Sequence, residues 1–291
     1  MNARTARTSI AALLASTLLL AGCSDGDKGA DNDKAGDGTS SDAGSPSPSD
    51  AGTGDGSQDG DQGGGTSGSL DKDTFYETIT KAQQDAGSYR STATTSAGGV
   101  DAVMDGEASY VDGALVARAK SQPGNPQQVE SVIADGILYL KSDGMGVPAG
   151  KWLKLDPEDP ANAGGPFAGL AAAADPEAAL RAVGSLKELE LVGSEKVGDV
   201  DADHYRAVMS TANYAKELGI PAEVADILPP QLPFDMWVDS ENRPVKFTLT
   251  FEIEGVSSST EQTYFDYGAD IDIEVPADRD TVTPTEAGLA S

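Results

Sequence analysis

The chain has 291 residues and a formal net charge of −28, with 48 acidic and 20 basic side chains, one histidine and one cysteine. Such a chain has no basic patch to neutralise nucleic-acid phosphates, and an anionic bilayer would repel it. The single cysteine excludes an intramolecular disulfide, and the His and Cys counts exclude metal sites built from those ligands. We therefore expect no nucleic-acid partner and no cofactor.

The first 22 residues have the pattern of a secretory signal peptide. Two arginines precede an apolar run from Ile10 to Leu20, which is about half the ~20 residues needed to cross a bilayer. Residues 20–23 read Leu-Ala-Gly-Cys, the pattern of a bacterial lipobox, in which the cysteine sulfur receives a diacylglyceryl group before cleavage. We predict that Cys23 is the lipidation site and anchors the protein to the extracytoplasmic face of the plasma membrane.

Residues 23–69 form the next predicted segment. After Cys23 it is dominated by Gly, Ser, Asp, Thr and Ala and contains no aromatic or branched aliphatic residue. Side chains of this kind bury too little apolar surface to offset the loss of chain entropy on folding. The sequence therefore predicts a disordered acidic tether between the lipid anchor and the remainder of the chain.

A folded domain is predicted over residues 70–282, followed by a flexible tail at 283–291. Asp71 is predicted to cap a first helix, in which Phe75, Ile79, Ala82 and Ala86 share one face. Gly-Gly or Asp-Gly pairs at 98–99, 112–113 and 135–136 are typical of tight hairpins. Strands are predicted at 89–95, 100–110, 114–121, 127–134, 137–141, 151–155, 187–192, 204–209, 234–239, 245–253, 259–266 and 269–275. Further helices are predicted at 167–174, 176–183, 211–218 and 222–228.

The strand at 245–253 alternates strictly between apolar and polar residues, which is typical of a sheet with one dry and one wet face. Other strands place small or flexible residues on the dry face, so this face is under-filled. The pattern fits either a closely packed α+β core or an apolar cavity between the layers. Candidate residues lining the cavity are Met104, Ala108, Leu115, Ala117, Tyr205, Ala207, Met209, Met236, Phe247, Leu249 and Phe251.

Residues 232–239 read Leu-Pro-Phe-Asp-Met-Trp-Val-Asp, and residues 243–247 read Arg-Pro-Val-Lys-Phe. Together with Phe-Asp-Tyr-Gly at 265–268 and Val-Pro-Ala at 275–277, they resemble the mycobacterial LppX/LprA/LprF/LprG lipoproteins. The resemblance covers roughly residues 70–282. It implies a LolA/LolB-like α+β fold, in which a strongly curved antiparallel half-barrel sheet is covered by helices and encloses an apolar cavity. It also implies the binding and carriage of acylated lipids or lipoglycans across the envelope.

The sequence contains little that predicts catalysis. His204 is the only histidine, and no Gly-x-Ser-x-Gly turn is present to supply a nucleophile. Asp/Glu pairs are abundant, and Trp152 and Trp237 could stack on sugars. Hydrolysis of envelope glycans is therefore a third hypothesis, after lipid carriage and the binding of a protein partner. We expect a protein that is not an enzyme. The main alternative to lipid carriage is an envelope interaction or stress-sensing module of the same fold that binds a protein or transporter partner.

Overall fold

The computed structural model describes residues 69–125, 127–159, 167, 170, 186–217, 225–253 and 255–289. The two described helices are α1 (Phe75–Ala86) and α2 (Thr211–Glu217). The strands before residue 160 are β1 (Ser88–Ala97), β2 (Val100–Val111), β3 (Ala114–Ser121), β4 (Val129–Ala134), β5 (Ile137–Ser142) and β6 (Trp152–Leu155). The later strands are β7 (Leu186–Val197), β8 (Val200–Ser210), β9 (Gln231–Val238), β10 (Pro244–Ile253), β11 (Val256–Phe265) and β12 (Thr281–Val282). None of the described helices is long and apolar enough to cross a membrane.

The predicted hairpin turns are confirmed. Gly98 and Gly99 have φ of 59° and 81°, and Asp112 and Gly113 have φ of 52° and 82°. Positive φ at both central residues is the geometry of a primed turn, whose twist matches that of the strands it connects. The turn at 135–136 has the same signs. Consecutive strands from β1 to β6 consequently pair as an antiparallel meander.

All twelve strands join one sheet in the order β12-β6-β5-β4-β3-β2-β1-β11-β10-β9-β8-β7. Every pair is antiparallel except β12 with β6, which is parallel. Strand β1, the first of the meander, pairs with β11, the last long strand. The pairing extends from Arg90 opposite Phe265 to Ala97 opposite Ser258. Within the described residues the sheet is open, with β12 and β7 at its edges, and does not close into a barrel. With its helices, the domain has the predicted α+β class.

Helix α1 lies on one face of this sheet. Phe75 and Ile79 are buried, as the spacing predicted, and the helix ends at Gly87, whose φ is 78°. Asp71 does not cap the helix itself, because its Oδ1 accepts the N–H of Asp73 at 2.8 Å in the turn before it. The face that α1 covers is called the inner face below, and the opposite one the outer face.

The core has two parts. The larger cluster packs α1 against the inner face of the strands that lie, in sheet order, from β3 through β2, β1, β11, β10 and β9 to β8. It is rich in aromatic side chains, including Phe75, Tyr89, Tyr205, Phe234, Phe247 and Tyr264. The smaller cluster lies on β4, β5 and β6 and contains Ile133, Leu138, Leu140, Leu153 and Leu155. One apolar layer therefore extends across most of the sheet.

Several predicted segments differ from the structure or lie wholly or partly outside the described residues. Residues 269–275 do not pair as a strand, and β12 follows later as a two-residue strand. Residues 283–289 form turns, and Leu289 packs against the smaller cluster, so the ordered domain continues beyond residue 282. The signal peptide and the tether lie outside the described residues. Residues 167 and 170 alone are described from the two helices predicted after residue 166, and the helix predicted at 222–228 is described only from residue 225.

The buried tyrosines make stability sensitive to alkaline pH. Tyr89 and Tyr264 are 1% and 6% exposed, and burial raises the pKa of both hydroxyls above the ordinary value. The unfolded chain releases these protons near pH 10 while the folded chain retains them, so stability is complete below pH 10 and falls above it. We expect a loss of about 1.4 kcal/mol per tyrosine per pH unit above pH 10, measured by denaturant titration between pH 9 and 11.

The variant Tyr89→Phe is the control for this effect. It removes one titrating hydroxyl while keeping the ring, which lies 5.8 Å from that of Tyr264. Its stability should fall less steeply above pH 10 than that of the unmodified protein. An identical slope in the two proteins would show that Tyr89 does not contribute.

Candidate functional site

Charge is distributed unequally between the two faces of the central sheet. The register of β1, β2, β3, β10 and β11 sorts their side chains into an inner and an outer set. The inner set contains only apolar residues, glycine and uncharged polar residues. The charged residues of these strands are all on the outer set: Arg90, Asp101, Asp105, Glu107, Arg118, Lys120, Lys246, Glu252 and Glu261. In a chain with a net charge of −28, the inner face of these five strands is therefore uncharged.

The structure places all eleven candidate lining residues on this face. Nine of the eleven belong to the larger buried cluster: Ala108, Leu115, Ala117, Tyr205, Ala207, Met209, Met236, Phe247 and Leu249. Phe251 is partly buried against the cluster. Met104 lies on the same face, half-buried, at the position opposite Ala93. The strand alternation therefore identified one surface, although it did not reveal what covers that surface.

A cavity is not shown by the described residues. Helix α1 packs directly on the inner face, where the Phe75 ring lies 5.5 Å from that of Tyr205. Ala117 and Ala207 are 1% and 0% exposed in the same cluster. Over this part of the face, small strand residues allow α1 to pack closely.

The inner face also carries a polar set that the sequence analysis missed. Ser91 and Thr95 on β1 lie beside Ser258, Thr260 and Gln262 on β11, and all five are buried. No local pattern marks them, because β11 reads Val-Ser-Ser-Ser-Thr-Glu-Gln-Thr-Tyr-Phe, with polar residues on both faces. The solvent exposure of these residues in the folded chain, or the pairing of β11 with β1, is needed to find them.

Two grooves are present on the surface of the described residues, and both are lined by polar and charged side chains. One lies between α1 and the turn at 241–243. The other lies on the outer face of β1–β3, where Glu107 forms ion pairs with Arg90 and Arg118. Neither groove contains a predicted lining residue. Ion pairs join Lys81 to Asp85 and Arg243 to Glu241 in the first groove, as is ordinary for a solvated surface.

His204 lies on the outer face of β8 between two acidic residues. Its Nε2 is 2.7 Å from Asp235 Oδ1, and its Nδ1 is 3.5 Å from Glu195 Oε1. The imidazole stacks on Trp237 with ring centroids 4.3 Å apart. These contacts hold the imidazole in place and link β7, β8 and β9, since Trp237 Nε1 also donates to Glu195.

The two tryptophans already have partners within the chain. Lys246 Nζ lies 5.2 Å from the centroid of Trp237, which His204 also contacts, and Lys141 Nζ lies 5.5 Å from that of Trp152. Neither ring is thus a bare platform for a sugar. Among the described residues, no group of His, Cys, Asp and Glu side chains is arranged to hold a metal ion.

Comparison with known proteins gives limited similarity. No family model matches the chain. An uncharacterized 31.2 kDa Streptomyces griseus protein, encoded in the rplA–rplJ intergenic region, is 26% identical over 189 residues, covering 60% of this chain and 62% of that protein. This chain thus matches less than two thirds of the relative's length.

Two solved structures of mycobacterial lipoproteins are similar to the fold. LppX of Mycobacterium tuberculosis has a TM-score of 0.46 and 13% identity, covering 70% of this chain and 98% of LppX. LprF of Mycobacterium bovis has a TM-score of 0.41 and 14% identity, covering 71% of this chain and 97% of LprF. Both proteins belong to the lipoprotein group that the sequence of this chain resembles.

Proposed function

We propose that this protein is a membrane-anchored extracytoplasmic lipoprotein that binds acylated lipids or lipoglycans on the inner face of its sheet and carries them across the envelope. The observation that supports this proposal is the absence of charged side chains from the inner face of β1, β2, β3, β10 and β11. The role is one of binding and not of catalysis. Attachment to the plasma membrane is assigned to acyl chains on Cys23.

Shielding from water supplies the binding free energy. Transfer of an acyl chain from water to an apolar surface is favourable by about 25 cal/mol per Å² buried. The half-buried residues on the inner face, among them Ala93, Ala102 and Met104, leave surface available for contact. The sequence predicts a disordered tether over residues 23–69, and a random coil of that length would average roughly 40 Å from end to end.

Native mass spectrometry of the unlipidated full chain tests this proposal directly. We expect adducts that organic extraction removes and that lipid analysis identifies as acylated molecules. A preparation from the native host with no such adduct, which also fails to bind added acyl lipids, would contradict the proposal.

A substitution on the inner face tests where the lipid binds. Ala93 is half-buried on β1 and lies opposite Met104 and Gln262. We expect Ala93→Trp to abolish lipid binding by occupying ligand space, while the melting temperature changes by only a few degrees. Thr94→Trp, on the outer face of the same strand, is the matched control and should bind lipid normally. Equal lipid binding by both variants would place the ligand elsewhere.

A second candidate function is the binding of a protein partner, and strand β7 favours it. This strand lies at an edge of the described sheet, and almost all its residues from Lys187 to Lys196 are exposed. An exposed edge can pair with an extended segment of another protein. A stoichiometric protein that co-purifies in place of lipid, and that Leu191→Pro displaces, would favour this function.

A further inference from the structure

The groove on the outer face of β1–β3 combines an aromatic ring with a row of charged side chains. We call Phe265, Arg90, Glu107 and Arg118 the outer row, and all four line the groove. The register places them side by side, because Arg90 lies opposite Phe265 and Glu107, and Glu107 lies opposite Arg118. With neighbouring strands about 4.8 Å apart, the row extends roughly 14 Å across the sheet from β11 to β3.

Phe265 is the aromatic side chain that this groove presents to solvent. It is 42% exposed and is the only aromatic residue among the exposed large apolar side chains of the described residues. Trp152 and Trp237 each lie against a lysine, whereas Phe265 has no ring or cation contact within the described part of the chain. A phenyl face that is open to water can stack on the apolar face of a flat ligand.

Ion pairs hold the charged groups of the outer row in fixed orientations. Glu107 Oε1 accepts Arg90 Nε at 3.2 Å, and Glu107 Oε2 accepts Arg118 Nη2. Arg90 Nη1 also donates to Asp266 Oδ2 at 3.2 Å. The Glu107 carboxylate is thus held between two guanidinium groups. Side chains that are already ordered in the free protein lose less entropy when a ligand binds.

These groups retain hydrogen-bonding capacity that the chain does not use. Each carboxylate oxygen of Glu107 has a further lone pair, and Arg118 has N–H groups beyond the one that Glu107 accepts. Beside the row, Asp105 Oδ1 accepts Gln122 Nε2 at 2.9 Å. Lys120 lines the same groove and forms no ion pair within the described residues. Donors and acceptors therefore alternate across the groove.

The charges of this surface balance, which disfavours an ionic ligand. The cations are Arg90, Arg118 and Lys120, and the acids are Asp105, Glu107 and Asp266, the last of which pairs with Arg90. Opposite charges in equal number leave little net attraction for either an anion or a cation. A hydroxyl group both donates and accepts hydrogen bonds, so two neighbouring ligand hydroxyls can bind a carboxylate and a guanidinium together.

We propose that this groove binds an uncharged oligosaccharide, whose sugar ring stacks on Phe265 while its hydroxyls bind Arg90, Glu107 and Arg118. A sugar ring combines an apolar C–H face with pairs of neighbouring hydroxyls, which matches the ring and the alternating donors and acceptors of the outer row. The site lies on the face of the sheet opposite the proposed lipid-binding face. It therefore adds a second function, attachment to an envelope polysaccharide, and does not rest on lipid binding.

Co-sedimentation with a polysaccharide tests this site. The full chain carrying Cys23→Ser is mixed with insoluble cell-wall polysaccharide of the native host, freed of protein and lipid. Binding is measured at about 0.15 M and about 1 M NaCl, between which the Debye length falls from ~8 Å to ~3 Å. Phe265→Ala removes the exposed ring, and Arg118→Gln removes a guanidinium group of the outer row.

Each substitution has a matched control in the same chain. Val256→Ala truncates another exposed apolar side chain of β11, which is 39% exposed. Arg206→Gln removes a different outer-face arginine, which pairs with Asp235 at 3.2 Å. Ala93→Trp, on the inner face, separates this site from the proposed lipid site.

We expect the chain to bind the polysaccharide equally at both salt concentrations, because salt does not screen contacts with an uncharged ligand. Phe265→Ala and Arg118→Gln should each weaken binding about fivefold or more. Val256→Ala, Arg206→Gln and Ala93→Trp should each change it less than about twofold. If Arg118→Gln fails to fold, Phe265→Ala decides the result.

Several results would overturn the inference. No co-sedimentation, loss of binding at the higher salt concentration, or equal binding by the groove variants and their controls would reject the outer-face site. Weaker binding by Ala93→Trp would place the polysaccharide on the inner face. Binding only to cell walls that retain their protein would assign a protein partner instead. None of these results bears on lipid binding, which native mass spectrometry measures separately.

Discussion

Phe75→Ala should lower the free energy of unfolding by about 3–5 kcal/mol. Phe75 is fully buried at the start of α1 and contacts Tyr76 and Tyr205, both with ring centroids 5.5 Å away. Its ring is the main contact of the first helical turn with the sheet, so its removal leaves a cavity between helix and strands. For a domain of this size, each kcal/mol lowers the melting temperature by roughly 2–4 °C, which predicts a decrease of about 6–20 °C. Calorimetry of the full chain measures it.

Lys81→Ala on the same helix is the control for this experiment. Lys81 is exposed and pairs with Asp85 at 2.8 Å, an arrangement worth about 0.5 kcal/mol or less. The control separates loss of the helix anchor from a general effect of substitution in α1. If Phe75→Ala is no less stable than Lys81→Ala, the packing of α1 on the inner face does not support the fold.

Cys23→Ala should abolish the lipid anchor, so that the protein is released from membranes or remains an uncleaved precursor. This prediction rests on the Leu-Ala-Gly-Cys sequence at 20–23, in which the cysteine thiol is the predicted acceptor of the lipid. Two acyl chains anchor a protein stably, whereas this acidic chain has no electrostatic attraction to an anionic surface once they are lost. We expect the variant in the soluble fraction or as an uncleaved precursor, by fractionation and intact mass measurement.

The control is Ser24→Ala, which leaves the four lipobox residues unchanged. It should fractionate with membranes at the mass of the mature, acylated protein. Because Cys23 is the only cysteine, any thioether-linked lipid on the chain must be located there. Recovery of Cys23→Ala in membranes at the mature acylated mass would refute the anchor assignment.

The charge distribution gives both proposals a common physical basis. An acidic chain keeps its domain soluble through charge, but charged groups on a lipid-binding face would each incur a desolvation cost. On β1, β2, β3, β10 and β11 the charged residues lie on the outer face, where Glu107 pairs with Arg90 and Arg118. The inner face is then free to contact uncharged ligands.

Local features of this fold follow from the sequence, because local chain geometry causes them. Asp-Gly and Gly-Gly pairs tolerate the positive φ of a primed turn, and Asp112–Gly113 and Gly98–Gly99 adopt it, so these hairpins were predicted accurately. The same is true of α1, which has its apolar residues at helical spacing and a glycine at its end. The strict alternation of residues 245–253 likewise identified which side of β10 is buried.

Only the tertiary structure determines which strands and residues far apart in the sequence become neighbours. Residues 269–275 have the composition of a strand, but they pair with no strand in the described sheet. Thr95 and Thr260 are 165 positions apart and meet only because β1 pairs with β11. Since β11 is polar on both faces, its sequence contains no period that separates buried from exposed residues. The burial of Ser258, Thr260 and Gln262 is set by the strands on either side, and sequence pattern alone does not encode which strands those are.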